Sequence, residues 1–400
     1  MINRIIFLPQ NKLSERDFFR FGIDILLSKG YKVEVWDLTP VLRPYYFKNY
    51  NLPNPSTYEN IKIFNNKKEI EEGISELTSK DIIVCMLHNN ESTSFIFKEL
   101  DKTKIKYGFI SLTSNPENYS RKLRYFLFLD NVKQNPFLLF KKIFFIIKNI
   151  FLKGENYKAS PSFILSGGKK GVEKFPQYLR NNKLEIINTH HLDYDEYLNN
   201  LSNEKPTIVD KKSYAVYIDM YLPFSMDTSH GNKKNQPSAN ADEFYPLINK
   251  FFEKFENRFG YEVVVAASPR SDYSGERKNL YGDRLVIRNK THNLIKNSKC
   301  VLIHHSTAAG IAVLYNKPMV FLTPNIVDKK LKRRIEFMAN NFMQKPLKIS
   351  FDYIPSININ PINEYAYETY KNNYIKMEHT AEKPIWEIFS KYLNSTNWNY

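Results

Sequence analysis

Cysteine is nearly missing from this chain: two occur in 400 residues, Cys85 and Cys300. Both sit in apolar, strand-like runs, so a disulfide framework is excluded and a reducing compartment is implied. Acidic residues are the scarcer charge, 42 Asp and Glu against 58 Lys and Arg, a net of +16. That balance calls for an anionic partner, whether nucleic acid, anionic lipid or nucleotide sugar. With no recognisable RNA- or DNA-binding motif and no basic arm, nucleic acid falls away. The opening MINRIIFLPQ has too short an apolar stretch before NKLSERD to read as a signal peptide, so a cytoplasmic protein is expected. No short-period internal repeat is present, which sets repeat architectures aside.

What is present is ample core material, 42% hydrophobic and 15% aromatic residues, in a chain long enough for two domains. Strand and helix patterns alternate. Arg4–Leu8, Lys32–Asp37, Asp81–Leu87 and Tyr107–Leu112 read as strands, with helices over Glu15–Ser28 and Ser92–Leu100. Ser162–Leu165 follows, then a helix to about Leu179 and a strand Glu185–Asn188; Asn199–Lys212 reads as a linker. A fresh alternation begins at Tyr214–Asp219 and runs through a helix Ala241–Phe259, strands Glu262–Ala267 and Leu285–Ile287, a helix Asn293–Asn297 and the unit Cys300–Thr323. The expected fold class is α/β, two Rossmann-like domains facing a central cleft. The boundary is placed at 204/205, with an insertion at about 120–154 in the first domain and a C-terminal helix able to pack back on it.

The unit Cys300–Thr323 carries the clearest candidate site: a buried strand, a small-residue loop, a helix and a second buried strand, stopped by Lys317-Pro318. The loop at a strand's carboxyl end presents N–H groups to an anion, and Ser306 and Thr307 add hydroxyls. The alternative is a capping Ser306 with His304 as a satisfied core residue. Two further loops follow strands directly, Asp219–Asp227 and Ser268–Tyr273. Together the three offer carboxylates, a guanidinium, hydroxyls and an imidazole, the groups that transfer from a phosphorylated donor requires.

The order Ser268-Pro269-Arg270, then Thr291–Ser298 (T-x-x-L-I-K-x-S), then His304–Pro318 resembles bacterial surface-polysaccharide glycosyltransferases of the GT-B fold. Within these it is most similar to the sialyl-, polysialyl- and Kdo-type transferases that use CMP-activated acidic sugars. The resemblance covers Tyr214–Thr323. It implies a metal-independent enzyme without a cofactor, moving a nonulosonic or ulosonic sugar from a CMP donor to a surface glycan such as capsule, O-antigen or lipooligosaccharide. Ser268, Pro269, Arg270, Thr291, His304, His305, Ser306 and Thr307 would then hold the nucleotide. Ser268 stands where the family has His, so Ser268 or His304 supplies that hydrogen bond, or the donor differs. The alternatives are a UDP-sugar transferase, a CDP-polyol phosphotransferase, or a non-catalytic glycan-binding scaffold.

Asp219, at the mouth of the first strand of the second half, is the expected general base or nucleophile, with Asp227 second. Gly167, Gly168, His190 and His191 are placed on the acceptor side, although the histidines alternatively close the first sheet. Asp193-Tyr194-Asp195 has metal-binding Asp-x-Asp spacing but lies in a helix-like run, and no metal site is assigned. After Pro136, bulky apolar residues mix with Lys141, Lys142, Lys148 and Lys153. Charge interrupts that run too often for a bilayer span, so an interfacial helix on an anionic membrane surface is expected, at the inner face of the plasma membrane beside a glycan or lipid-linked glycan acceptor.

Overall fold

Short runs of β-branched and aromatic residues make, among the described residues, thirteen parallel strands in two sheets, the inner strands buried on both faces and the edge strands partly exposed. The computed structural model describes residues 2–52, 54–112, 115–116, 157–175, 184–202, 209, 213–224 and 238–395. The first sheet is built from β1 (Arg4–Leu8), β2 (Lys32–Asp37), β3 (Ile61–Ile63), β4 (Asp81–Cys85), β5 (Lys106–Ser111), β6 (Phe163–Gly167) and β7 (Glu185–Thr189). Its order is β3-β2-β1-β4-β5-β6-β7. The second holds β8 (Tyr214–Ile218), β9 (Glu262–Ala267), β10 (Val286–Arg288), β11 (Cys300–Ile303), β12 (Met319–Pro324) and β13 (Leu347–Ile349), in the order β10-β9-β8-β11-β12-β13. Every paired neighbour is parallel, with registers such as Ile5↔Ile82 and Val301↔Val216. Both sheets thus repeat the doubly wound order, and in each the strand order reverses between its first and fourth strands. Open parallel sheets bind ligands at that reversal, outside the carboxyl ends of the strands.

Parallel strands need cover on both faces, and the sequence supplies it. Helix Ala241–Phe259 lays Phe244, Leu247, Ile248, Phe251, Phe252 and Phe255 at three- and four-residue spacing on the second sheet. Asn240 accepts from the Asp242 N–H to start it, and Gly260 at φ +65° ends it.

Several sequence expectations are corrected. Glu15–Ser28 is two helices, Glu15–Arg20 and Ile23–Ser28, broken at Gly22 with φ +52°. A Cβ at Gly22 would lie 2.1 Å from Cδ1 of Trp386, so only glycine lets the C-terminal helix dock there. That helix, Ile385–Ser395, crosses back to the first domain, where Ile385, Trp386, Phe389 and Leu393 join its core. Each buried side chain of this size contributes about 1.5–3 kcal/mol. The helix Leu192–Ser202 takes the first residues assigned to the linker. β3, β13 and the helices Lys67–Ser75 and Lys329–Asn341 escaped the sequence reading. The helix expected up to Leu179 is, among the described residues, only the 3-10 turn Val172–Lys174. The insertion at 120–154, with Lys141, Lys142, Lys148 and Lys153, lies outside the described residues, as does Asp227.

Candidate active site

A cleft of about 1940 Å³ opens between the carboxyl ends of the two sheets. Ordinary small-molecule pockets run to roughly 300–1,000 Å³, so this one has room for two substrates at once. Its second-domain wall is made by the loops after β8, β9, β10, β11 and β12, which bring Asp219, Ser268, Pro269, Arg270, Thr291, Ser306 and Thr307 to one surface.

Asp219 is buried, and its carboxylate is fully subscribed. Oδ1 accepts from the Tyr221 N–H (2.7 Å) and the Tyr281 hydroxyl (3.0 Å). Oδ2 accepts from the Tyr273 hydroxyl (2.7 Å) and, at 3.5 Å, the Ser268 N–H. A carboxylate offers about four lone-pair positions, and here each has a donor. Burial pushes its pKa up, partly countered by those four bonds. The result ties three loops together and holds Tyr221 at φ +53°, an unfavourable conformation for a tyrosine. Its lone pairs are thus engaged in holding these loops together. Tyr273 closes the expected loop Ser268–Tyr273, but its bond to Asp219 and that of Tyr281 escaped the sequence reading because isolated tyrosines carry no spacing signal.

His304 is removed from the ligand-contacting set. Its ring is wholly buried; Nδ1 meets the Leu322 carbonyl at 2.7 Å and Nε2 the Tyr217 hydroxyl at 2.8 Å. A carbonyl can only accept, so Nδ1 carries the proton and Nε2 accepts from Tyr217. Burial pushes its pKa down to about 4, which keeps it neutral. His305 is buried as well and does not line the cleft. Ser306 Oγ accepts from the Ala308 N–H at 3.2 Å, so it shapes the turn while its hydrogen remains able to point at a ligand. Ser268 Oγ likewise serves its own loop, at 3.4 Å from the Arg270 N. Part of the motif is scaffold: Lys317 Nζ donates to the Ser298 carbonyl at 2.9 Å.

The four acceptor-side candidates also lie away from the cleft. His190 is buried with Nε2 at 2.7 Å from the Lys383 carbonyl, and His191 N–H donates to Ile375 O at 2.8 Å. These contacts close the first sheet against the returning C-terminal segment. Gly167 and Gly168 admit that packing, for a Cβ on Gly168 would stand 2.6 Å from Asn373 O.

The first-domain wall comes instead from helices Glu15–Arg20 and Leu192–Ser202, a surface the sequence reading missed. Asp193 and Asp195 both line the cleft. Asp193 is paired with Arg20, which holds its carboxyl far below the usual range despite burial. Asp195 is different. Oδ1 accepts from the Ile385 N–H at 3.0 Å, capping the C-terminal helix, and stands 3.5 Å from His190 Nε2. Oδ2 has no hydrogen-bond partner among the described residues. Burial pushes the Asp195 carboxyl up to about 7, with the Ile385 bond and Arg20 opposing, and Glu387 and Asp24 adding to the rise.

The walls differ in charge. Arg270, Lys290, Lys330 and Arg334 face the cleft from the second domain against Asp219 and Asp328, and Asp328 is spent capping the Leu331 N–H. On the first domain Glu15, Asp24, Asp193, Asp195 and Glu196 outnumber Arg16 and Arg20. Among the described residues no cluster of His, Cys, Asp and Glu is arranged to hold a metal ion.

Two doubly wound sheets with a cleft between their carboxyl ends define the GT-B fold class. No family model and no curated protein matches the chain. Among solved structures it is similar to Methanocaldococcus jannaschii UDP-GlcNAc 2-epimerase in complex with UDP-GlcNAc and UDP, at 13% identity and TM-score 0.44, covering 99% of this chain and 100% of that one. It is also similar to S. aureus MnaA with UDP, at 10% identity and TM-score 0.47, covering 99% and 98%. A third is Acinetobacter baumannii MurG, at 8% identity and TM-score 0.43, covering 98% and 100%.

Proposed function

We propose that this protein is a nucleotide-sugar-dependent glycosyltransferase, with its donor on the second-domain wall and a glycan acceptor on the first. The observation that carries the reading is the polarised cleft at the two strand-order reversals. Negative charge develops on the leaving phosphate as the glycosidic bond breaks. Arg270, Lys290, Lys330 and Arg334 line the same cleft as Ser306 and Thr307 and would meet that charge. Sugar hydroxyls are neutral donors, suited to the carboxylates opposite, and Asp195 takes the acceptor proton through Oδ2.

The short motifs imply a CMP-linked acidic sugar. That group draws a hydrogen bond from a histidine which is Ser268 here, and His304, the nearest substitute, is buried with both ring nitrogens engaged. This favours the UDP-linked alternative. UDP is therefore expected to raise the melting temperature more than CMP at equal concentration, since a ligand of the folded state stabilises by mass action. The paired change Ser306→Ala, Thr307→Val should weaken the better nucleotide by about 10- to 100-fold, or roughly 1–3 kcal/mol. No shift with either nucleotide overturns the reading; unchanged affinity in the double variant confines the two hydroxyls to the turn.

The acceptor side of the proposal includes the membrane. No helix among the described residues is long and apolar enough to cross one. The Lys141, Lys142, Lys148 and Lys153 segment would hold the enzyme at anionic lipid beside a lipid-linked glycan. Each lysine near the surface contributes about 1 kcal/mol, screened by salt. Vesicles rich in phosphatidylserine should bind the wild type at low salt and release the fourfold Gln variant, with transfer to a soluble acceptor intact. Binding that persists in the variant would place the contact elsewhere.

A further inference from the structure

We propose that the first-domain wall seats the alkyl chain of a neutral glycolipid acceptor, held by Phe19 and Leu201. The inference deepens the acceptor reading above and rests on it.

Apolar side chains are spread unevenly over the cleft. On the second-domain wall Ile218, Leu222, Ile311 and Leu331 line it yet are almost wholly buried in the core beneath. On the first-domain wall Phe19 and Leu201 line it with 58% and 59% of their surface exposed. Helix Glu15–Arg20 buries none of its residues, and the Phe19 ring meets Phe18 edge-on at 5.2 Å. Covering side chains of this size is among the larger gains open to a bound ligand.

The spacing of the two favours a chain over a ring. Arg20, next to Phe19, pairs with Asp193 on helix Leu192–Ser202. Leu201 lies roughly two turns beyond Asp193 on that helix, about 12 Å along its axis. An aromatic ring packs on another at about 4.5–7 Å and so covers one of the two side chains. An extended alkyl chain covers both.

Charge decides what the chain is attached to. Asp193 and Arg20 neutralise each other, which leaves Glu15, Asp24 and Glu196 facing the cleft against Arg16. A phosphate-linked carrier would set its charge against these carboxylates, whereas a sugar head brings hydroxyls that donate to them. The chain is therefore joined to its sugar without a phosphate, and the sugar shares the cleft with Asp195.

The test is calorimetric titration with methyl, butyl, hexyl and octyl β-D-glucosides, each below its micelle-forming concentration. Wild type should gain about 2- to 4-fold in affinity per methylene. Phe19→Ser with Leu201→Ser should flatten that slope, and Phe19→Leu with Leu201→Met should keep it. Both positions are exposed, so the Ser pair should melt within about 2 °C of wild type. Phenyl β-D-glucoside, with the carbons of the hexyl compound closed into a ring, should gain less than the hexyl compound. Octyl phosphate, whose head belongs on the basic wall, should bind without dependence on Phe19 or Leu201. No slope in the wild type, or a slope that survives the Ser pair, overturns the seat. A larger gain with phenyl than with hexyl makes the occupant a ring and overturns the chain. Octyl phosphate that weakens in the Ser pair as octyl glucoside does overturns the neutral head. With a flat slope and a nucleotide that raises the melting temperature, the transferase reading stands and its acceptor carries no chain. With no nucleotide shift the donor reading falls instead, while the glucoside slope still reports on Phe19 and Leu201.

Discussion

Asp195→Asn is expected to lower turnover by about 100-fold or more, with donor binding nearly unchanged. Asn keeps an oxygen for the Ile385 N–H, so the cap on the C-terminal helix survives, while the carboxylate proposed to take the acceptor proton is gone. The pH profile supplies a separate check. With its carboxyl pushed up to about 7 by burial, wild-type kcat/KM should rise as pH climbs through that value, and the variant should lose this limb. Stability must move the other way. The folded chain holds this proton more tightly than the unfolded chain, whose aspartates titrate near 3.9. The contribution is full below about pH 4 and lost as pH rises through about 7. His191 and His304 oppose it: buried neutral and pushed down to about 4, they contribute above an unfolded value near 6.5, and that contribution is lost as pH falls toward 4. The informative quantity is thus the difference between wild type and Asp195→Asn, which should favour the wild type increasingly from pH 7 to pH 4. A near-normal rate in the variant would move the base to Glu15 or Glu196 on the same wall.

Much of the fold could be read from sequence because parallel strands, covered on both faces, are written as short apolar runs. Val263–Ala267 and Val301–Ile303 are instances, and the β8, β9 and β11 loops follow from them. Gly22 was harder. A left-handed glycine in an otherwise helical pattern means nothing until Trp386, far along the chain, is seen against it. The loops that line the cleft could be read, but not which of their side chains already have partners in the core. His304 lies two residues before Ser306, yet its ring turns into the core toward Tyr217 and Leu322. The first-domain wall was invisible for a related reason. Asp193 and Asp195 alternate on one helix turn, so one meets Arg20 and the other the end of the C-terminal helix, contacts that no local spacing encodes.

Asp219 should separate positioning from chemistry by the contrast between two substitutions. Asp219→Ala leaves the hydroxyls of Tyr273 and Tyr281 and the N–H of Tyr221 without an acceptor in a buried place. Unmet buried donors cost about 1–3 kcal/mol each, partly offset here because a desolvated carboxylate is also removed, so a loss of about 2–4 kcal/mol is expected. At roughly 2–4 °C per kcal/mol for a domain of this size, the melting temperature should fall by about 5–15 °C. Nucleotide affinity should fall too, as Tyr221 leaves its φ of +53° and the β8 and β9 loops part. Asp219→Asn is far milder. Its carbonyl keeps Tyr221 N–H and Tyr281, and its amide faces Tyr273, whose hydroxyl can turn to accept; only the Ser268 N–H, already at 3.5 Å, loses its acceptor. Such a variant should keep most of its stability and stay within about 10-fold of wild-type turnover. A general base would behave otherwise, losing about 100-fold or more on the change to Asn whatever its effect on melting. That outcome would return the proton transfer to Asp219 and leave Asp195 as the cap of the C-terminal helix.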